Sequence, residues 1–184
     1  MRVIAGSARS LKLTAPKGFD VRPTTDRIKE TLFNIISSDI YDCSFLDLFC
    51  GSGAIGIEAL SRGAGHAVFV DESRISLDCT RANLEHTRLM DKADIIRSDA
   101  LAATARLAAE GRRFDIIFMD PPYDRNLEKN ILERGRLCDI LEEEGIIIIE
   151  ASAATDIGYA DAAGFAIYRE KCYGSNKHVF LKMK

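Results

Sequence analysis

The chain has 184 residues, of which 47% are hydrophobic and 29% charged, and its formal net charge is −3. This balance is typical of one globular domain and excludes a low-complexity or collagen-like chain. No apolar run approaches the roughly 20 residues that a membrane-spanning helix needs. The five Cys form no Cys-x-x-Cys pair, which argues against a zinc ribbon. We therefore expect a cytoplasmic monomer that binds neither metal nor membrane.

The charge is unevenly distributed along the chain. Residues 1–29 contain seven Lys or Arg and two Asp, a net charge of +5, whereas the remaining residues carry 18 basic and 26 acidic side chains, a net charge of −8. A basic N-terminal arm therefore precedes an acidic body. Such an arm is either a solvated tail or a surface that grips nucleic acid, and composition alone leaves both interpretations open.

The arm has predicted elements of its own. Two short strands that could pair are predicted over residues 1–5 and 11–14. A helix is predicted over residues 26–38, because its Ile and Leu side chains recur at helical spacing and form one apolar face. The arm therefore reads as an extension that packs on the body.

From residue 45 onward, apolar runs of strand length alternate with segments of helical periodicity. Strands are predicted over residues 45–49, 67–70, 93–96, 114–119 and 145–150. Helices are predicted over residues 54–62, 73–86, 101–110 and 127–141. This alternation predicts a doubly wound α/β fold with a parallel sheet and right-handed crossovers.

The end of the chain departs from this alternation. Two β-rich runs, residues 165–173 and 177–182, are separated by Gly-Ser-Asn and predict an antiparallel hairpin. A parallel sheet that ends in a hairpin fits Rossmann-like methyltransferases better than dehydrogenases. We treat residues 1–184 as one domain, with a basic hairpin and helix extension over 1–40 and the core over 41–184.

A glycine-rich motif follows the first predicted strand of the core. Gly51, Gly53 and Gly56 form a G-x-G-x-x-G sequence that opens the next helix, and Asp71 ends the second strand 20 residues after Gly51. Such glycines let the backbone approach a ligand closely, and the carboxylate can accept hydrogen bonds from ribose hydroxyls. The motif predicts a nucleoside cofactor, and the alternative is a tight turn without a ligand.

Two further acids bear on which nucleoside it is. Asp47, near the end of the first strand, would repel a pyrophosphate but suit the ammonium and sulfonium groups of S-adenosylmethionine. The alternative for Asp47 is a buried acid that caps the loop. Asp99, just after the third strand, is placed either to accept a hydrogen bond from an adenine amino group or to cap the following helix.

The fourth strand ends in Asp120-Pro121-Pro122-Tyr123, at the edge where open α/β sheets bind ligands. This segment resembles the motif of methyltransferases that modify exocyclic amines of bases. The Asp120 carboxylate and the Pro121 carbonyl would accept the two N–H bonds of such an amine and aim its lone pair at the methyl group. Tyr123 would stack on the base, which must leave its helical stack to be reached.

Several segments together resemble one family, the RsmD-type methyltransferases that act on guanine N2 of small-subunit (16S) ribosomal RNA. They are Arg2 to Gly6, Arg22 to Arg27 with Glu30 to Asn34, Asp47 to Gly53, Asp120 to Tyr123, and the C-terminal hairpin. The resemblance extends over essentially the whole chain.

The resemblance implies a Rossmann-like class I S-adenosylmethionine-dependent methyltransferase, with a seven-stranded, mostly parallel sheet and a short N-terminal β-hairpin and helix extension. It implies S-adenosylmethionine as methyl donor and a guanine of 16S ribosomal RNA, in free RNA or a small ribosomal subunit particle, as acceptor. The cofactor-binding residues that we expect are Asp47, Phe49, Gly51, Ser52, Gly53, Asp71, Ser98, Asp99 and Ala100. The expected catalytic residues are Asp120, Pro121, Pro122 and Tyr123.

The basic arm is the expected contact with RNA. The residues that we expect to bind phosphate are Arg9, Lys12, Arg22 and Arg27. Arg22 and Arg27 could instead contact the cofactor carboxylate, and Arg27 could simply be an exposed helix charge. Residues 6–13 carry Ser and Ala where the family is often basic, so a folded ribosomal particle fits better than naked RNA.

Other functions share parts of this pattern. An adenine-N6 methyltransferase acting on DNA or RNA has the same motif. Asp120 favours guanine only weakly, because the N1–H and N2–H of guanine lie side by side and one carboxylate can accept both. A nicotinamide-dependent oxidoreductase would use the glycine motif and Asp71 but would leave residues 120–123 without a role. A non-catalytic RNA-binding assembly factor would keep the fold alone.

Overall fold

The computed structural model describes residues 1–16, 26–122 and 126–184. Its strands are β1 Ser44–Leu48, β2 His66–Asp71, β3 Ala93–Arg97, β4 Phe114–Met119, β5 Leu141–Ser152, β6 Phe165–Cys172 and β7 Asn176–Met183. They form one seven-stranded sheet in the order β3-β2-β1-β4-β5-β7-β6. The first five strands are parallel, and β7 pairs antiparallel with both β5 and β6. The predicted parallel sheet with a terminal antiparallel hairpin is confirmed.

Apart from the first, the helices lie in the connections between the parallel strands. They are α1 Asp26–Ile35, α2 Ala54–Ser61, α3 Arg74–Thr87, α4 Ala100–Ala109, α5 Leu127–Arg134 and α6 Leu137–Ile140. Short 3₁₀ turns cover Ser37–Asp39, Met90–Lys92 and Gly158–Ala160. The predicted alternation of strands and helices is therefore confirmed, with boundaries shifted by a few residues.

Both faces of the sheet are buried. Successive residues of a strand point to opposite faces, so Ile146 and Ile148 pack in one apolar layer together with side chains of α1, α2 and α3. Ile147 and Ile149 pack in a second layer with side chains of α4, α5 and α6. The run of four isoleucines is thus buried on both sides, as is typical of a central strand of a parallel sheet.

The predicted helix over residues 127–141 is divided in the structure. The amide of Gly135 donates to the carbonyl of Ile131 at 2.8 Å, and Arg136 follows with a φ of +50°. The left-handed residue ends α5 and separates it from α6. Strand β5 then begins at Leu141, ahead of its predicted start at residue 145.

The N-terminal arm has less regular structure than predicted. Its two short strands are reduced to one antiparallel bridge between Arg2 and Lys12. Backbone hydrogen bonds flank this bridge, among them one of 3.0 Å from the Val3 amide to the Leu11 carbonyl. The predicted helix over residues 26–38 ends at Ile35 and continues only as a 3₁₀ turn.

A buried carboxylate fixes the start of the arm to the core. Glu58 on α2 accepts hydrogen bonds from the amides of Ile4 at 2.8 Å and Ala5 at 3.0 Å. The same carboxylate pairs with Lys29 of α1 at 3.1 Å and with Arg62 at 2.8 Å. Arm, α1 and α2 are therefore joined through one side chain.

Candidate active site

The five parallel strands end at the same edge of the sheet. Asp99 follows β3, Asp71 ends β2, Asp47 lies in β1 and Asp120 follows β4. The strand order reverses between β1 and β4, which opens the crevice where doubly wound sheets bind ligands. The structure therefore brings the four acids that the sequence singled out to one edge.

Two glycines of the loop after β1 have separate physical roles. Gly51 has a φ of +55°, and no described atom lies within 4 Å of the Cβ that it lacks. Its open side therefore leaves space for a ligand. At Gly56 a Cβ would lie 2.3 Å from the Phe69 ring, so this glycine allows α2 to pack closely on β2.

The backbone is strained where β1 enters this loop. Phe49 has a φ of +73°, a conformation that is costly for a bulky residue. The amides of Phe49 and Cys50 both donate to the carbonyl of Val70, at 3.0 and 2.9 Å, and these bonds hold the turn. Such strain beside a glycine loop is typical of ligand sites.

Side chains from β2 and α3 fix the glycine loop. Asp71 accepts hydrogen bonds from the amides of Gly51 at 2.9 Å and Ser73 at 2.8 Å. The Thr80 hydroxyl donates to the Gly51 carbonyl at 2.9 Å. Each Asp71 oxygen retains a second lone pair, so the carboxylate can position the loop and still accept from a ligand.

Asn83 of α3 connects the glycine loop to the N-terminal arm. Its amide nitrogen donates to the carbonyls of Ser52 at 2.8 Å and Thr14 at 3.0 Å. Its amide oxygen accepts from the Thr14 amide and hydroxyl, both at 3.0 Å. Asn83 is buried, so one satisfied side chain joins the arm to this loop.

Asp47 is buried, and the described part of the chain gives it no countercharge. It is 2% exposed, and it accepts a 3.0 Å hydrogen bond from the Gly56 amide, so it caps the first turn of α2. Burial, opposed by that hydrogen bond and reinforced by the charge of Asp71, raises the pKa of Asp47 to about 7. Among the residues that the structure describes, no Lys or Arg lies within ion-pair distance of it. A cationic ligand would stabilise this carboxylate.

Asp99 caps α4. Its carboxylate accepts a 2.9 Å hydrogen bond from the Ala102 amide, and the side chain is exposed. The neighbouring Ser98 amide donates to the carbonyl of Asp71 at 3.2 Å, and Ala100 is buried at the start of α4. The capping interpretation is therefore confirmed, whereas contact with an adenine stays a prediction.

The segment after β4 begins with an acid in an unfavourable environment. Asp120 is half-buried, Pro121 is buried and Pro122 is exposed, while Tyr123 lies outside the described residues. Burial, followed by the charges of Glu150 and Asp47, raises the pKa of Asp120 well above its usual range. A strongly raised pKa in a crevice is typical of functional acids.

Sequence reasoning missed the polar residues that surround these acids. Glu150 at the end of β5 is buried against His178 and Asn176 of β7, and Thr80 and Asn83 support the glycine loop. The available signal was polarity at positions expected to be apolar. Glu150 ends a run of four Ile, and Thr80 lies between Leu77 and Leu84 on the inner face of α3.

The arm presents its arginines around a groove. Arg2, Arg9 and Arg27 line a cavity of about 430 Å³, together with Asp26 and Glu30. Arg2 pairs with Asp26 at 2.8 Å, and both side chains remain largely exposed. Lys12 is exposed at the bridge with Arg2, and Arg22 lies outside the described residues. Three of the four expected phosphate contacts are thus exposed, and their role stays a prediction.

The described residues form neither a metal cluster nor a membrane-spanning helix. In residues 1–16, 26–122 and 126–184, no group of three or more His, Cys, Asp or Glu side chains is arranged to hold a metal ion. Within the same ranges, every helix is too short or too polar to cross a membrane.

The chain is similar to known proteins over nearly its whole length. A family model named Conserved hypothetical protein 95 matches residues 1–182. The Ribosomal RNA small subunit methyltransferase D of Escherichia coli is 37% identical over 178 residues, which cover 95% of this chain and 85% of that protein. A solved Escherichia coli structure named "Putative methyltransferase yhhF" is 33% identical, with a TM-score of 0.87 over 100% of this chain and 98% of that one. A Thermus structure, hypothetical protein TTHA0928, is 26% identical, with a TM-score of 0.84 over 100% and 99% of the two chains.

Proposed function

The chain belongs to the conserved hypothetical protein 95 family, the RsmD family of small-subunit ribosomal RNA methyltransferases, and we propose that it methylates the exocyclic N2 of a guanine in 16S ribosomal RNA. The observation that carries this proposal is the position of Asp120, Pro121 and Pro122 at the end of β4, beside the strand that leads into the glycine loop. An amine held there would lie next to a cofactor held by the loop.

The residues at this edge fit S-adenosylmethionine. Gly51 leaves open space beside the loop backbone, and Asp71 and Asp99 are placed for the ribose and the adenine. Asp47 is a buried carboxylate with a raised pKa, which favours a ligand that carries positive charge. Phe49, Ser52, Gly53, Ser98 and Ala100 complete the proposed cofactor site. When bound, S-adenosylmethionine supplies an electrophilic methyl group on a sulfonium.

The protein's part in the reaction is to position the amine. The lone pair of an aryl amine is delocalised into the ring, which makes it a poor nucleophile. The Asp120 carboxylate and the Pro121 carbonyl accept its two N–H bonds, which favours a pyramidal nitrogen and directs the lone pair at the methyl group. Pro122 fixes the backbone of this segment, and Tyr123 stacks on the base that has left its helix. A guanine N1–H beside N2–H gives Asp120 a second donor.

The arm is the proposed RNA grip. Arg9, Lys12, Arg22 and Arg27 would bind backbone phosphates, which position RNA without reading its sequence. Residues 1–40 then form an extension of one domain whose catalytic core is residues 41–184. A small ribosomal subunit particle is the acceptor that best suits so short an arm, and such an acceptor would place the protein in the cytoplasm. The monomeric state stays a prediction.

The test of this proposal is transfer of labelled methyl from S-adenosylmethionine to small ribosomal subunits, naked 16S ribosomal RNA and DNA. Nucleoside digestion then identifies the product. We expect N2-methylguanosine from the subunits and less label in naked RNA. Label confined to DNA, or found only on adenine N6, would overturn the proposal.

A variant pair separates chemistry from binding. Asp120→Ala should reduce transfer at least about 1,000-fold, because the amine loses its main acceptor, while binding of S-adenosylmethionine changes little. Asp78→Ala is the matched control, since Asp78 is 67% exposed on α3 and should leave transfer unchanged. Near-normal transfer by Asp120→Ala would contradict the proposed role.

A further inference from the structure

The end of β5 carries a buried carboxylate that the proposed chemistry does not use. Glu150 is 3% exposed. It accepts a hydrogen bond of 2.7 Å from the side-chain nitrogen Nδ2 of Asn176 and lies 3.0 Å from Nε2 of His178. Both partners belong to β7 and are themselves buried. The carboxylate is therefore fixed in one orientation.

Asp120 and Glu150 each follow the last paired residue of two neighbouring strands. Strands β4 and β5 are parallel, and Met119 pairs with Ile149, so Asp120 and Glu150 are the next residues of the two strands. Asp47 lies on the other side, because β1 pairs with β4. Burial first, and then repulsion from Glu150 and Asp47, raises the pKa of Asp120.

Several groups of the described chain face this pair of acids. From β1 comes Asp47, and from β7 come His178 and Asn176. The Tyr173 hydroxyl lies 3.2 Å from Nδ1 of His178. The charge of Arg169, on β6, opposes the rise in the pKa of Tyr173 that burial causes. Across the described ranges no Lys or Arg forms an ion pair with Asp120, and the imidazole of His178 contacts Glu150 directly.

The surroundings of His178 indicate which groups donate and which accept in the hydrogen bonds that link Tyr173, His178 and Glu150. An ionised Glu150 only accepts, so Nε2 of His178 carries a hydrogen and donates to it. In a neutral imidazole Nδ1 is then the acceptor, and the Tyr173 hydroxyl donates to it. The rings of Phe118 and Phe180 pack edge-on around the imidazole. His178 therefore helps to fix the orientation of the Glu150 carboxylate.

We propose that Glu150 is a positioning residue for methyl transfer. Its fixed negative charge makes the Asp120 carboxylate a stronger hydrogen-bond acceptor for the amine. The same charge makes the crevice bind a cationic cofactor more tightly than a neutral one. This proposal rests on the function proposed for Asp120. It also predicts a preference at the end of the reaction. S-adenosylmethionine carries a positive sulfonium, whereas S-adenosylhomocysteine does not, so a negative crevice retains the donor and releases the product.

Glu150→Gln is the variant that tests the charge while keeping the shape. The Gln oxygen can accept from Asn176, and its amide can donate to Nε2 of His178 once the imidazole adopts the other tautomer. Nδ1–H then donates to the Tyr173 oxygen, so the hydrogen bonds with Asn176, His178 and Tyr173 are all kept. Glu150→Asp keeps the negative charge. Tyr173→Phe removes the hydrogen bond between the Tyr173 hydroxyl and His178 without any change of charge.

The first readout is the titration of the Asp120 carboxyl in the cofactor-free protein, followed by NMR of carbon-13-labelled Asp and assigned with Asp120→Asn. Glu150→Gln should lower its midpoint by about one pH unit or more, because a unit charge on the adjacent strand is removed. Glu150→Asp should retain most of the elevation, and Tyr173→Phe should leave the midpoint in place.

The second readout is the ratio of the affinities for S-adenosylmethionine and S-adenosylhomocysteine at pH 8. Glu150→Gln should reduce this ratio about fivefold, as expected for the loss of one nearby charge. An unchanged Asp120 midpoint in Glu150→Gln, or an equal change in Tyr173→Phe, would assign Glu150 a purely structural role. Neither readout needs RNA, so failure of this proposal is distinguishable from failure to methylate guanine.

Discussion

Two regions of this protein each bury a carboxylate, but they differ in how the buried charge is compensated. In the arm anchor, which is Glu58 with its partners, the acid is fully buried and pairs with Lys29 and Arg62 while two backbone amides donate to it. At the carboxyl edge of the sheet, Asp47 is equally inaccessible but pairs with no Lys or Arg of the described chain, and its bonded partner is the Gly56 amide.

This difference distinguishes a structural acid from a functional one. A buried charge is tolerated when cations and hydrogen bonds compensate the loss of water. The chain supplies these at Glu58, which therefore joins three elements. At Asp47 the compensation is incomplete, and the pKa rises to about 7 because of burial. Burial alone does not identify a ligand site, whereas a buried acid without its own cation does point to one.

The largest effect is expected from breaking the arm anchor. Glu58→Gln should lower the free energy of unfolding by about 3–5 kcal/mol, because it leaves Lys29 buried without its partner. Burial already lowers the pKa of Lys29, although Glu58 opposes that shift. Urea denaturation at pH 7 measures the loss. Glu85→Gln, at an exposed position of α3, is the control. A loss below about 1 kcal/mol would mean that the anchor is not a compensated buried charge.

At the carboxyl edge of the sheet, removing a carboxylate should instead raise the free energy of unfolding. A carboxyl whose pKa is about 7 in the folded protein and about 4 when unfolded stabilises the fold fully below pH 4 and loses that contribution as the pH rises through 7. For Asp47 the loss is about 4 kcal/mol by pH 8. Asp47→Asn removes it and adds a buried amide that costs about 1–3 kcal/mol, so the variant should be about 2 kcal/mol more stable than the parent at pH 8.

Urea denaturation at pH 5 and pH 8, without cofactor, checks this expectation. The parent should lose stability between the two pH values, and Asp47→Asn should lose less. The same substitution should weaken binding of S-adenosylmethionine about tenfold or more, because the cation loses its carboxylate. If Asp47→Asn is less stable than the parent at both pH values, the acid has a compensating partner and the contrast with Glu58 fails.

Sequence patterns predicted these two regions unequally. Strand β4 begins and ends where predicted, at Phe114 and Met119, because an apolar run bounded by Asp-Pro-Pro leaves little choice. Asp47 and Asp120 were found through neighbouring motifs in the chain. Glu58 was missed, since its partners Ile4, Ala5 and Lys29 are remote in sequence and only the folded chain brings them together. Glu150 was missed for the same reason.

A smaller effect is expected at Asn83, which joins Thr14 of the arm to the glycine loop. Asn83→Ala removes the hydrogen bonds to Thr14 and Ser52, which frees the arm and the glycine loop from each other. We expect binding of S-adenosylmethionine to weaken about tenfold, since about 1.4 kcal/mol of loop organisation is lost. Calorimetry measures the affinity, and Asn34→Ala on the exposed side of α1 is the control. If the affinity for S-adenosylmethionine is unchanged while the arm is loosened, Asn83 anchors the arm and does not organise the cofactor site.

The smallest effect on stability, and the sharpest contrast with Glu58, is expected at the exposed arginines of the arm. Arg9→Ala and Arg27→Ala should change the free energy of unfolding by less than about 0.5 kcal/mol, because solvated charges contribute little to folding. If these residues bind phosphate, each substitution should reduce the slope of log affinity against log salt concentration by about one, for small-subunit RNA. Arg74→Ala, which removes a 79% exposed charge from α3, should leave the slope unchanged. A slope that falls equally in all three variants would mean that the arm attracts RNA only through net charge, and that its groove is not a grip.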